Sequence, residues 1–268
     1  MNYKLGLIPL GSLGLALLFS PMAWAQEPPP APTLLENSGK PMTIPFHCAE
    51  EDSQWAGLAC SEDDPCPMYL EISAVEAAGS RIVAAGNIHS SEVTLYSELL
   101  SSDDGGQTWR EAPDRVRGAG LDRIQFLDAE NAWVGGEVLY PFSQNPFLLV
   151  TADGGKSWTR QTIFEEDRAG SILDFAFTSK REGRLVFDRG PGERNNRYEL
   201  YESRDGGTSW TLKGTAAKPQ VLSPATAPSD YRARADAPTQ AFQIEKRAGD
   251  RWTSMAAFAV KLAPCGEH

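Results

Sequence analysis

The chain has 268 residues, with 25 Lys or Arg against 36 Asp or Glu, which gives a formal net charge of −11 at pH 7. Such a surface repels nucleic acid and anionic lipid, so neither is expected as a partner. Its three histidines sit in no H-E-x-x-H motif, and no Gly-rich phosphate loop or EF-hand spacing occurs. We therefore predict no catalytic residue, metal or cofactor.

The N-terminus is predicted to be a signal peptide spanning residues 1–25. Lys4 supplies a positive start, an apolar stretch follows, and Ala23-Trp24-Ala25 forms a small-x-small cleavage site. An uncleaved anchor is the alternative, but the apolar run is short for a span. Cleavage removes one Lys and no acid, leaving a net charge of −12. Residues 26–41 are rich in proline and predict a linker, and the mature protein is expected to be secreted or periplasmic without membrane insertion.

Four cysteines follow in a chain expected to be exported: Cys48, Cys60, Cys66 and Cys265. An even number in an oxidising compartment indicates two disulfides. Three pairings are possible, and we favour Cys60 with Cys66 and Cys48 with Cys265, which would tie the two ends of the domain together. A zinc site that includes His47 is the alternative, but no C-x-x-C pair is present.

Short apolar runs separated by turn residues predict twelve strands in three units of four. The first unit has strands at 69–74, 81–85, 93–99 and 109–112; the second at 124–127, 132–136, 147–151 and 158–162; the third at 173–178, 184–187, 198–203 and 210–213. No long amphipathic helix is predicted. The fold class is therefore all-β.

Each unit contains the octapeptide Ser/Thr-x-Asp-Gly-Gly-x-Ser/Thr-Trp. Its defining residues are Ser102, Asp104, Gly106 and Trp109, then Thr151, Asp153, Gly155 and Trp158, then Ser203, Asp205, Gly207 and Trp210. The aspartates are 49 and 52 residues apart, a period typical of one four-stranded sheet per repeat. The Asp can accept backbone N–H groups of a tight turn, the glycines permit positive φ, and the Trp brings apolar surface between sheets.

These octapeptides resemble Asp-box, or BNR, repeats of the sialidase-like superfamily. The second unit, with Ala132-Trp133-Val134-Gly135 before its octapeptide, is most similar to repeats of photosystem II stability and assembly factors. The resemblance implies a β-propeller in which the boxes are structural turns. It implies little about activity, because the same turn occurs in enzymes and in binding proteins.

Residues 42–268 are expected to form the propeller domain, with four to five blades. A fourth unit is predicted from strands at 231–235, 241–246 and 251–260, with a worn turn at Gly249-Asp250-Arg251-Trp252. Its missing strand is expected from residues 43–47, which would close a small ring. An open arc is the alternative, although it would leave sheet faces exposed.

A sialidase site would need converging arginines, a Tyr paired with a Glu, and an Asp. Arg123, Arg184 and Arg232 lie on successive units, and strand 198–203 contains two Tyr-Glu pairs. Adjacent residues of a strand point to opposite faces, so the members of each Tyr-Glu pair are not expected to share a pocket. A glycan-binding protein or glycoside hydrolase is therefore the alternative function.

The preferred function is a non-enzymatic scaffold that binds another protein. The segment 180–197 is locally basic on an acidic chain, and its arginines are a candidate partner surface: Arg181, Arg184, Arg189, Arg194 and Arg197. Internal ion pairs within a solvated hairpin are the simpler explanation of this segment. A glycan partner remains the alternative to a protein partner.

Overall fold

The computed structural model describes residues 33–112, 114–192, 195–222 and 229–266. The predicted signal peptide and the first part of the predicted linker lie outside these ranges, as does Arg194. Within them, no helix is long and apolar enough to cross a bilayer.

Strands dominate the described chain and form four antiparallel sheets, which confirms the predicted all-β propeller with four blades. Sheet one contains β1 (Leu34–Glu36), β2 (Cys66–Ala78), β3 (Arg81–His89), β4 (Thr94–Ser102), β5 (Thr108–Glu111) and the last strand, β17 (Lys261–Cys265). Sheet two contains β6 (Ala119–Phe126), β7 (Ala132–Val138), β8 (Gln144–Thr151) and β9 (Thr159–Thr162). Sheet three contains β10 (Ser171–Phe177), β11 (Gly183–Asp188), β12 (Tyr198–Ser203) and β13 (Thr211–Ala216). Sheet four contains β14 (Tyr231–Asp236), β15 (Ala241–Ala248) and β16 (Arg251–Ala259).

The chain's two ends meet in sheet one. The order of strands there is β1-β5-β4-β3-β2-β17, so β1 covers one edge and β17 covers the other. Residues Leu34–Glu36 were expected in the linker but belong to this sheet. A short helix, α1 (Glu50–Ala56), lies between β1 and β2, and its buried Asp52 accepts hydrogen bonds from Tyr96 and, at 2.8 Å, from Arg117.

The predicted fourth strand of sheet four, residues 43–47, does not form. Met42 alone bridges the sheet, donating to Ala257 and accepting from Ala259 at 2.8 Å each. The following residues are extended and alternate between exposed and buried, and the side chains of Ile44 and Phe46 pack into the core. Pro45 lacks an N–H, so this segment contributes packing in place of ladder hydrogen bonds.

Three apolar clusters hold the sheets together. One joins sheet four to sheet one, the second joins sheet one to sheet two, and the third joins sheet two to sheet three. Within the described ranges, no cluster joins sheet three to sheet four. Among the described residues, the sheets are therefore packed in the order four, one, two, three, and the two ends of the chain meet within sheet one.

Both disulfides have the pairing favoured above. Cys48 is bonded to Cys265, with their Cα atoms 5.1 Å apart, and Cys60 is bonded to Cys66, with a Cα separation of 5.3 Å. The first bridge fixes β17 beside the segment that precedes α1. Two disulfides indicate an oxidising, extracellular or periplasmic environment.

Removing the Cys48–Cys265 bridge should destabilise the protein more than removing the Cys60–Cys66 bridge. Loop-closure entropy predicts a loss of about 5 kcal/mol for the long loop and about 2 kcal/mol for the short one. Guanidinium denaturation of the two Cys→Ser double variants would measure this difference. Equal losses would show that the long bridge does not restrain the unfolded chain as argued.

Candidate functional site

The octapeptides are turns organised by their aspartates. In the first turn, Asp104 Oδ1 accepts the backbone N–H groups of Gln107 and Thr108, both at 2.9 Å. Its Oδ2 accepts the Thr108 hydroxyl at 2.6 Å. The Ser102 hydroxyl donates to Asp104 at 2.8 Å and accepts the Gly106 N–H at 2.9 Å, where φ is 91°. The carboxylate is therefore fully engaged by its own turn.

Asp153 and Asp205 repeat this network. Each accepts a hydroxyl from the Ser/Thr two residues earlier at 2.8 Å and another from the Ser four residues later at 2.6 Å. The tryptophans differ, however. Trp109 and Trp210 donate their indole N–H to Gly106 and Gly207 at 3.1 and 3.0 Å, whereas the buried Nε1 of Trp158 has no acceptor among the described residues.

The protonation of these aspartates argues against a role as catalytic acids. Burial raises the pKa of Asp104 and Asp153, but the hydrogen bonds donated to each carboxylate outweigh burial and lower the pKa to about 2. The pKa of Asp205 is also lowered, chiefly by the Ser209 hydroxyl and N–H. All three carboxylates are ionised at neutral pH and have no proton to give.

The arginines considered for a sialidase site do not converge. Arg123 pairs with Asp174 at 2.7 Å, Arg184 with Glu202 at 3.3 Å, and Arg232 with Glu245 at 2.7 Å. The three lie in sheets two, three and four and each is held by its own carboxylate.

A different Tyr, Glu and Arg do meet between sheets two and three. Glu199 and Tyr201, two residues apart on β12, face the same side, and the Tyr201 hydroxyl donates to Glu199 at 2.7 Å. Arg168, from the loop after β9, contacts Glu199 at 2.6 Å and Tyr201 at 2.8 Å. Arg189 lies 3.6 Å from Glu199. The Glu-x-Tyr spacing on a strand was the available sequence signal, whereas Arg168 could not be linked to it.

The contacts of Arg168, Glu199 and Tyr201 stabilise the packing of sheet three. Glu199 and Tyr201 are buried, and the Arg168 guanidinium packs against the rings of both Phe164 and Phe187. Burial, and then the hydrogen bond to Glu199, raise the pKa of Tyr201 to about 12. A phenol held neutral in this way is a poor nucleophile at neutral pH.

The four described arginines of the candidate partner surface, Arg181, Arg184, Arg189 and Arg197, do not form one surface. Arg181 and Arg184 lie near the turn that starts β11, while Arg189 and Arg197 lie beyond its other end, about 17 Å away along the strand. Arg197 forms two 2.7 Å bonds to Asp188. Proximity of these arginines in the sequence did not predict a shared surface, because β11 places the two ends of the segment at opposite ends of the sheet.

Arg184 instead joins residues from other strands around a cleft of about 450 Å³ on sheet three. Arg184 is directly opposite Ala176 and Glu202, so these three residues share the sheet face that turns away from sheet two. Arg204 and Leu222 also line this cleft, which we call the sheet-three cleft.

The sheet-three cleft is less acidic than the chain as a whole. Arg184 and Arg204 line it against Glu182 and Glu202, and Lys213 lines an adjoining pocket that shares Glu202 and Arg204, which gives a local charge of +1 on a chain of net charge −11. The Arg181 side chain donates to the backbone carbonyl of Arg204 at 3.2 Å. Val221, 91% exposed, adds an apolar contact at the rim.

No protein-family model and no curated protein matches the sequence. Solved structures give distant likenesses. "YCF48 bound to D1 peptide" is 17% identical with a TM-score of 0.39, covering 72% of this chain and 59% of that chain. "YCF48 from Cyanidioschyzon merolae" is 15% identical with a TM-score of 0.37, covering 70% and 49%. A polysaccharide lyase of the PL25 ulvan lyase family is 11% identical with a TM-score of 0.41, covering 75% and 53%.

The chain spans about half to three-fifths of the length of these solved chains. The four sheets of this chain themselves define its fold.

Asp153→Ala should destabilise the second turn by about 1–3 kcal/mol, because two backbone N–H groups and two hydroxyls lose a charged acceptor. Asp250→Ala is the matched control, since Asp250 is an exposed acid in the worn turn of sheet four. Thermal and urea unfolding would compare them. Similar losses in both variants would show that the Asp153 network is not specific.

The stabilising effect of Asp153 should also disappear in acid. Its folded pKa of about 2 lies below the ordinary aspartate pKa of 3.8, so its contribution is full well above pH 4 and is lost as the pH falls towards 2. The difference in unfolding free energy between the wild type and Asp153→Ala should therefore shrink between pH 6 and pH 2. A constant difference would mean that the carboxylate charge is not the cause.

Proposed function

We propose that this protein is an exported, non-enzymatic propeller that binds another protein and serves as an interaction or assembly scaffold. The observation that carries the proposal is the sheet-three cleft, where Arg184, Arg204 and the neighbouring Lys213 outnumber Glu182 and Glu202 on an acidic protein. It lies on a sheet face against which none of the apolar clusters packs another sheet. A partner is expected to present an acidic segment there.

The geometry of the cleft suits such a segment. The Arg184 side chain is 64% exposed although it pairs with Glu202, and Glu202 also lies 3.5 Å from Lys213. Exposed pairs of this kind are weak, so an incoming carboxylate can replace Glu202 at little cost. Because the contacts are partly hydrated, binding should weaken as ionic strength rises.

The chemistry of the remaining polar clusters supports a binding role. The turn aspartates are occupied by their own hydrogen bonds, and the Tyr201–Glu199–Arg168 cluster holds its phenol neutral and its carboxylate paired. Export is supported by the two disulfides together with the signal-like residues 1–25.

The test is capture from the native envelope with the tagged mature chain as bait. A stoichiometric partner should be recovered by the wild type and lost, by at least about tenfold, with Arg184→Glu/Arg204→Glu, which turns two attractive charges into repulsive ones. The matched control is Arg247→Glu/Arg251→Glu, which makes the same charge change on sheet four.

Two results would contradict the proposal. Equal loss of the partner with both variants would show that only net charge matters and that the cleft is not the site. Recovery of no partner, together with turnover of a sialoside panel by the wild type, would favour the glycoside hydrolase alternative.

A further inference from the structure

The chain shows on its own sheet one how the outer edge of a blade accepts an added strand. β1 pairs antiparallel with β5, with Leu34 opposite Arg110, Leu35 opposite Trp109 and Glu36 opposite Thr108. Asn37 then donates its backbone N–H to Gln107 at 2.9 Å and its side-chain amide to Gly106 at 2.8 Å. The added strand therefore pairs with the backbone of β5 and hydrogen-bonds to the turn that precedes β5.

Sheet two presents the same edge without a covering strand. β9 starts directly after Trp158, has the four-residue length of β5, and pairs only with β8 among the described residues. Three of its residues, Thr159, Arg160 and Thr162, are exposed, whereas every residue of the covered β5 is buried or half-buried. Its outer N–H and C=O groups are thus available to an extended chain.

The outer edge of sheet three, β13, is less suited to pairing with an added strand. The pairing of β12 with β13 slips at Lys213, the extra residue of a bulge, and bulges and edge lysines both discourage strand addition. The pairing of β8 with β9 is in unbroken register from Val150↔Thr159 to Phe147↔Thr162. The two outer edges are therefore not equivalent, and β9 is the one suited to pairing.

Charge also marks β9. Lys156 in the preceding turn and Arg160 on the strand are exposed cations. This charge favours an acidic occupant.

We infer that the outer edge of β9 binds an extended acidic segment of a partner protein as an added antiparallel strand. Backbone hydrogen bonds would supply affinity and alternate side chains would supply specificity. This site is separate from the sheet-three cleft and does not depend on it, so the two sites can be tested apart.

The probe is a capped hexapeptide with the sequence of residues 33–38, Thr-Leu-Leu-Glu-Asn-Ser, which contains the chain's own added strand. With the mature protein and peptide at ten times its Kd, hydrogen exchange of the outward β9 amides should slow about tenfold, because only the peptide-free fraction exchanges. Arg160→Glu should weaken the effect, whereas Arg184→Glu/Arg204→Glu should leave it intact.

Two control peptides distinguish backbone pairing from charge attraction as the cause of protection. N-methylation at the second Leu removes a backbone donor while keeping the side chains, and it should abolish protection. Replacing the Glu by Lys should weaken binding. Protection confined to β5 or β13, protection that survives N-methylation, or no protection at any concentration up to the solubility limit of the peptide would overturn the inference.

Discussion

A four-stranded sheet has two faces, and each apolar face must be covered by a neighbour. This requirement governs the whole molecule. In the described chain, three apolar clusters cover the faces between sheets four and one, one and two, and two and three. The turn aspartates serve this packing, because they fix the glycines and the strand start from which each Trp reaches the neighbouring sheet. Among the described residues, this packing order leaves one face of sheet four and one face of sheet three without an apolar cluster.

The outer faces of sheets four and three differ in the side chains that they expose to water. On sheet four, Arg232 and Arg234 both bond to Glu245 at 2.7 and 3.0 Å, and Arg232 lies 4.2 Å from the Trp252 ring centroid. This polar network makes the face stable in water, as terminal repeats of solenoids require. On sheet three the end face carries the cleft, with exposed cations and an apolar rim. The asymmetry is why the proposed partner site falls at one end only.

Most of the fold could be predicted from local sequence. Fifteen of the sixteen strands expected in the four units exist, because alternating apolar residues and Asp-Gly-Gly turns act over a few residues. The elements that the sequence did not predict correctly depend on residues that are distant in the chain. β1 and β17 are short and gain their ladders only from sheet one, and 43–47 stays outside a ladder because packing of Ile44 and Phe46 suffices. α1 is short, and its buried Asp52 depends on Tyr96 and Arg117, which come from distant parts of the sequence.

The candidate site was predictable only in its components. Arg184 was predicted as a candidate, but Arg204 comes from the next hairpin, and only the folded sheet brings the two to the same cleft. Similarly, Glu199 and Tyr201 reveal a shared face by their spacing, while Arg168 arrives from a loop 31 residues earlier. Strand periodicity specifies the face of a residue but not which segments meet there.

The placement of β17 has a consequence for biogenesis. Lys261 pairs with Tyr69, so the edge of sheet one at β2 stays without a partner strand until residues 261–265 have been synthesised. Sheets two and three use only pairings within their own 40 to 50 residues and can form earlier. Sheet one is therefore the part of the chain that stays incomplete longest and most needs protection from aggregation, although its first strands are made before the other sheets.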